Sequence, residues 1–263
     1  MSQGRFAPVV NALARAKTFA LDLLYPPACL SCRRAIAAHG GLCPECWRAV
    51  RFIERPYCER LGTPLDSFFS AGANERFLSP EARADPPAFA RLRAVARFED
   101  GPARTLVHRL KYGDRQELAW PMGRWMARAG AELLDEADLL IPVPLHPLRL
   151  AQRRFNQSAA LARAISRHSG APVNTAALLR VRPTPPQVGL SQDLRASNIA
   201  GAFAVDPRRK AELKGRRLLL IDDVATSGAT LNAAARTLLR AGAERVDALV
   251  FARVVTEPRN ESI

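Results

Sequence analysis

Apolar and polar positions alternate along this chain with periods that change repeatedly. Residues 6–24 put Phe6, Val9, Val10, Leu13, Ala20 and Leu24 near one helical face, and Pro26-Pro27 ends that helix. From Leu92 the pattern becomes that of an α/β domain. Residues 93–98 alternate like a strand, and 102–111 read as a helix with Pro102 in its first turn. A second helix is expected over 117–134, a short apolar strand over 138–143, a helix over 156–168 and an extended piece over 177–181. A strand over 216–221, a helix over 230–241 and a last strand over 246–255 close the pattern. Such alternation implies a mostly parallel twisted sheet, with ligands beyond the carboxyl ends of its strands. Between the N-terminal region and this domain, 63–87 carries Gly72, Asn74, Pro80, Pro86 and Pro87 with little periodicity, as in a linker.

The densest chemistry lies at 218–230. Leu218-Leu219-Leu220-Ile221 suits a strand covered on both faces. Asp222 and Asp223 follow where that strand is expected to leave the core. Val224, Ala225, Thr226, Ser227, Gly228, Ala229 and Thr230 are mostly small, so backbone N–H groups can approach a ligand closely. Leu231, Ala234, Ala235, Leu238 and Leu239 continue at helical spacing. A loop of free N–H groups at a helix N-terminus favours an anion. Paired carboxylates beside it can accept hydrogen bonds from sugar hydroxyls or hold hydrated Mg²⁺. An ordinary strand–turn–helix is the plainer reading, but it has no need of two adjacent carboxylates.

Cys29-x-x-Cys32 and Cys43-x-x-Cys46 form two knuckles with ten residues between them. Each can give two thiolates to one tetrahedral Zn²⁺, a structural site because four protein ligands leave no open position. His39, between them, is a weaker substitute ligand. A pair of disulfides would need an oxidising compartment. Arg5, Arg15, Lys17 and Asp22 interrupt any apolar leader, which argues against export and for a cytoplasmic protein. Cys58, in Tyr57-Cys58-Glu59-Arg60-Leu61-Gly62, resembles a third knuckle with Leu61 where a second cysteine would stand.

The segment 218–230 resembles the phosphoribosyl pyrophosphate (PRPP) signature of type I phosphoribosyltransferases. With the paired knuckles, the whole chain resembles the ComF family, an N-terminal zinc ribbon joined to a phosphoribosyltransferase-like domain. Leu23-Leu24-Tyr25-Pro26-Pro27-x-Cys29, Leu110-Lys111-Tyr112, Pro142-Val143-Pro144, Arg154-Phe155-Asn156-Gln157 and the series Gln187, Leu190, Arg195, Asn198 belong to the same pattern. Many relatives carry Gly where this chain has Arg154, and many have a second full ribbon, which the Cys58 segment cannot complete. The resemblance implies an N-terminal helix over 1–27, a zinc-ribbon module over 28–62, a linker over 63–91 and the phosphoribosyltransferase-like domain over 92–257.

The resemblance also implies roles. Asp222 and Asp223 would orient the ribose or the Mg²⁺ water shell, and Val224 to Thr230 would anchor the phosphate. The turn at Val143 and Pro144, with Arg149, Arg153 or Arg154, would neutralise pyrophosphate; a solvated surface charge is an equal reading for each arginine. Lys111 with Tyr112 and Gly113 can approach the same site or simply end a helix. Residues 181–200 look like a hood over it. Of the isolated His108, His146 and His168, His146 has the best claim, by position. The implied activity is PRPP binding and phosphoribosyl transfer to an acceptor that the sequence leaves open. Hypoxanthine–guanine salvage enzymes commonly carry Asp at the place of Thr226, which argues against 6-oxopurine salvage. The family is associated with bacterial DNA uptake. This leaves open a single-stranded-DNA-binding accessory of transformation, an association with DNA-uptake proteins, or a PRPP sensor without catalysis.

Composition changes this picture little. The 263 residues allow one large domain and a small module, and 48% hydrophobic content can form a sizeable core. No apolar run reaches the ~20 residues of a membrane span. The formal charge of +14 comes mostly from arginine, Lys17, Lys111, Lys210 and Lys214 being the lysines. Arginine suits phosphate through its planar fork, and a cationic surface can bind nucleic acid through phosphate contacts. Aromatic residues, at 6%, offer less for base stacking.

Overall fold

The computed structural model describes residues 25–65, 77–113, 115–183, 199 and 201–255. The expected helix over 6–24 and most of the expected hood, including Gln187, Leu190, Arg195 and Asn198, lie outside the described residues. The chain divides into two compact units, with the boundary between Ala49 and Val50.

The first unit is built around the knuckles. The N–H of Cys29 donates to the carbonyl of Arg34 (2.7 Å), and that of Arg33 to the carbonyl of Cys29 (3.0 Å). Helix α1 (Pro44–Arg48) starts at Cys43, whose sulfur accepts the N–H of Cys46.

The second unit holds a four-stranded parallel sheet in the order β1 (Leu92–Arg97), β6 (Arg245–Arg253), β5 (Arg217–Ala225) and β2 (Leu139–Pro142). Short β3 (Leu178–Arg180) and β4 (Phe203–Val205) pair antiparallel beside it. Because strand side chains alternate between faces, β5 serves two cores. Leu218 and Leu220 join Leu231, Ala234, Ala235 and Leu238 of α8 (Ala229–Arg240), with Phe89 and Phe203. Leu219 and Ile221 are equally buried and serve the other face, where α4 (Ala119–Ala129) and α7 (Gln157–Ser169) pack. Those two helices approach closely at Gly123, where a Cβ would lie 2.5 Å from that of Ala164.

Several elements differ from the sequence pattern. The expected helix over 117–134 is a 3₁₀ turn (Gln116–Leu118) and two helices, α4 and α5 (Ala131–Glu136), broken at Gly130. The strand expected to stop at Ile221 runs on to Ala225, so Asp222 and Asp223 lie within β5 rather than after it. The register explains this: β6 continues alongside, pairing Asp222 with Val250 and Ala225 with Arg253. A helix with no sequence signal, α6 (Pro147–Arg153), follows β2. The described part of the expected linker is packed. Ser79 caps α2 (Pro80–Ala84), Phe89 is buried in the core, and the N–H of Ala90 donates to Val246 (2.8 Å).

Candidate functional site

β2 and β5 are adjacent and parallel, so their carboxyl ends bring two loops together. Pro142 pairs with Ile221, and the N–H of Val143 donates to the carbonyl of Ile221 (2.9 Å). Val143 is buried, while Pro144 is half-buried at the start of the turn. Asn156 fixes this turn from the other side. Its amide donates to the carbonyl of Val143 (3.1 Å), and its Oδ1 caps α7 by accepting the N–H groups of Ser158 and Ala159.

The carboxylate pair is held from two helices. Ser158 Oγ donates to Asp222 Oδ1 (2.7 Å), which also accepts the N–H of Asp223 (2.9 Å). Lys111 Nζ, in the last turn of α3 (Pro102–Tyr112), lies 2.9 Å from Asp223 Oδ1. Burial first, then the neighbouring Asp223 charge, pushes the Asp222 carboxyl up to about 7; Ser158 and Lys111 oppose the rise. The two helix contacts let adjacent acidic groups share a strand end.

Ala225 to Thr230 then turn into α8. Gly228 takes the left-handed conformation (φ +80°) at the helix N-cap, which favours glycine. A Cβ there would meet nothing nearer than 3.9 Å, so backbone conformation and not protein crowding requires the glycine. Thr226 is exposed and Ser227 to Thr230 are half-buried.

The arginines divide. Arg153 is engaged by Gln157 Oε1 (3.3 Å) and by Tyr112, whose hydroxyl accepts at 3.3 Å and whose ring centroid lies 5.1 Å from the guanidinium. Arg154 is exposed at the end of α6 with φ +62°, a conformation glycine adopts more readily. That explains the glycine common at this place in the resembling family. Arg180 is attracted by Asp222 and repelled by Arg149. Burial first and Arg149 second hold Arg180 below the usual guanidinium range, against the attraction of Asp222. Sequence reasoning missed Ser158 and Arg180. Ser158, next to the Asn156-Gln157 motif at a helix start, carried a faint signal; Arg180 carried none. His146 caps α6, its Nδ1 accepting the N–H of Leu148 (3.4 Å).

In the first unit the ligand atoms of Cys29, Cys32, Cys43 and Cys46 lie within 4.8 Å of one another; His39 is not part of this cluster. Tetrahedral Zn²⁺ with sulfurs at about 2.3 Å places them about 3.8 Å apart, and Cys32 and Cys43 stand at 3.6 Å. The donor set fits structural zinc. Cys58 lies elsewhere, buried in the second unit.

Fold, acidic strand end and cysteine cluster define an α/β protein of phosphoribosyltransferase type with an N-terminal zinc ribbon. A double zinc ribbon domain model matches residues 20–76, and a phosphoribosyl transferase domain model matches residues 153–262. The chain is 32% identical over 240 residues to the DNA utilization protein YhgH of Escherichia coli O157:H7, covering 89% of this chain and all of that one. It is 29% identical to competence protein F of Haemophilus influenzae (86% and 96% covered) and 28% to competence protein ComFC of Bacillus subtilis (85% and 83%). The chain belongs to the ComF family. A solved allosteric regulatory enzyme of purine biosynthesis superposes at a TM-score of 0.37 and 20% identity over 55% of this chain and 30% of that one, too loosely to argue from. No described helix is long and apolar enough to cross a membrane.

Proposed function

We propose that the second unit binds PRPP with Mg²⁺ and transfers its phosphoribosyl group to an acceptor. The observation that carries this is the acidic pair Asp222–Asp223, held by Ser158 and Lys111 in the last residues of β5, directly before the glycine-containing loop into α8. The ribose hydroxyls would donate to the two carboxylates, which would also hold Mg²⁺ through its waters. When bound, Mg²⁺ supplies neutralisation of the pyrophosphate charge. Val224, Ala225, Thr226, Ser227, Gly228, Ala229 and Thr230 would anchor the 5-phosphate, with N–H groups at the start of α8 as donors. Val143 and Pro144, with Arg153 and Arg154, would flank the pyrophosphate. In the transfer, the bond from C1 to the pyrophosphate oxygen breaks as the acceptor's lone pair bonds to C1. The relatives are named for DNA utilization and competence, which supports a role linked to DNA uptake, alongside DNA-uptake proteins; the reading takes the protein to be cytoplasmic.

Calorimetry with PRPP and Mg²⁺ tests the binding, and pyrophosphate release across bases, nucleosides and oligonucleotides tests the transfer. The double variant Asp222→Asn, Asp223→Asn should weaken PRPP at least about tenfold, since each charge-assisted hydrogen bond contributes roughly 1.5–3 kcal/mol. Unchanged affinity in the folded variant rejects the reading of the pair. PRPP binding without turnover of any acceptor makes the protein a sensor.

A second reading, direct contact with single-stranded DNA, draws on exposed aromatic rings beside cations. Tyr112 is 70% exposed under Arg153, and Trp120 lies tilted against His168 (ring centroids 4.3 Å apart) with Arg167 over its ring (5.9 Å). Bases can stack on such platforms while arginines take phosphates. Affinity should fall steeply with salt; no binding at low salt rejects it.

A further inference from the structure

Arg253, the last residue of β6, is 8% exposed, and among the described residues no carboxylate pairs with it. A buried guanidinium is costly unless its donors are satisfied. Here backbone carbonyls accept from Nη1 and Nε. Nη1 donates to the carbonyls of Ala225 (3.2 Å) and Thr226, and Nε to that of Leu61 (3.3 Å). Ala225 and Thr226 open the proposed phosphate loop; Leu61 belongs to the turn around Cys58.

The trans peptide unit decides what this does. A carbonyl and the N–H of the next residue point in opposite directions. Holding the carbonyls of Ala225 and Thr226 on Arg253 therefore turns the N–H groups of Thr226 and Ser227 away from it. Those are donors a bound phosphate would use, and the fixed cation behind them aligns their dipoles for an anion.

The other end of the fork rests on a rigid anchor. Cys58 is fully buried, and its sulfur accepts the N–H groups of Leu61 (3.4 Å) and Ser79 (3.3 Å). The N–H of Gly62 donates to the carbonyl of Cys58 (2.8 Å), and that of Cys58 to Thr63 (2.7 Å). Gly62 has φ +62°, and a Cβ on it would lie 2.8 Å from the carbonyl oxygen of Leu92. Arg93 of β1 donates to the carbonyl of Glu59 (2.9 Å) and pairs with the Glu59 carboxylate.

We propose that Arg253 is the positioning residue of the phosphate loop, fixing its first two peptide planes against the Cys58 turn. This rests on the PRPP reading for the identity of the ligand only. Arg253→Lys keeps the charge and removes the fork. The N–H of Val254 donates to the carbonyl of Ala225 (2.9 Å) and reports on the plane that Arg253 helps to hold. In that variant, amide exchange at Val254 should accelerate at least about tenfold while the amides of Ala248 to Val250 stay protected. Affinities for PRPP and ribose 5-phosphate should fall about tenfold, the scale of one charge-assisted hydrogen bond. Affinity for inorganic pyrophosphate should not change. A folded Arg253→Lys protein with wild-type exchange at Val254 overturns the proposal, as does an affinity loss shared by pyrophosphate. If Arg253→Lys does not fold, Cys58→Ala decides: faster exchange at Val254 supports the proposal, and unchanged exchange overturns it. Wild-type protein that binds neither sugar phosphate rejects the PRPP reading, and exchange at Val254 still judges the role of Arg253.

Discussion

Lys111 Nζ and Asp223 Oδ1 meet at 2.9 Å, joining the end of α3 to the carboxyl end of β5. The Asp223 side chain is 8% exposed, so the ammonium is its main escape from an unpaired buried charge. The contact gives the family's Leu-Lys-Tyr segment a physical role beside the acidic pair.

Lys111→Met should therefore destabilise the second unit by about 2–3 kcal/mol, the scale of leaving a buried charged acceptor unpaired. Adding Asp223→Asn should restore part of that loss. A double-mutant cycle in urea measures the coupling, and additive effects would show that the pair is not a real contact.

The raised Asp222 carboxyl has a signed consequence for stability. Its folded value near 7 stands above the ordinary 3.8, so the native state binds this proton more tightly than the unfolded chain. The Asp222 contribution is most favourable below pH 4 and is lost as pH rises towards 7. The stability of wild type relative to Asp222→Asn should accordingly fall across pH 4–7 and then level. Denaturation at several pH values checks the slope, and a rising difference would reverse the assignment.

Arg154 pays a conformational penalty at φ +62°. Arg154→Gly should raise the stability of the second unit by about 1 kcal/mol, because an L side chain in the left-handed region costs roughly 1–2 kcal/mol and glycine returns part of it as unfolded-chain entropy. Thermal unfolding would show the gain as a higher Tm.

The cysteine cluster should carry about one Zn²⁺ per chain. Cys43→Ala should lose the metal and loosen the first unit, since ribbons of this size lack a core to fold alone. The second unit, compact in itself from Val50 on, should keep its unfolding transition. Elemental analysis with calorimetry separates the two effects, and full metal content in the variant would refute the ligand set.

Local chemistry made much of this protein legible in its sequence. Four apolar residues before Asp222 announce a doubly covered strand, and two Cys-x-x-Cys knuckles announce a four-thiolate cluster, because burial period and ligand spacing are properties of neighbouring residues. The same locality drew the motif that led to the family. What tertiary structure alone decided are the long-range pairings. Nothing in the spacing brings Lys111 to Asp223, Ser158 to Asp222, or Arg253 to Leu61 and Thr226, since each contact joins elements set side by side by sheet order. β5 outran its apolar signal because β6 supplies hydrogen-bond partners through Ala225, and backbone pairing outweighs the polarity of two aspartates. Cys58 shows the division most plainly. Its sequence reads as a remnant of a metal knuckle, and only the packing of Leu61, Ser79 and Arg253 around it makes that turn part of the sheet unit.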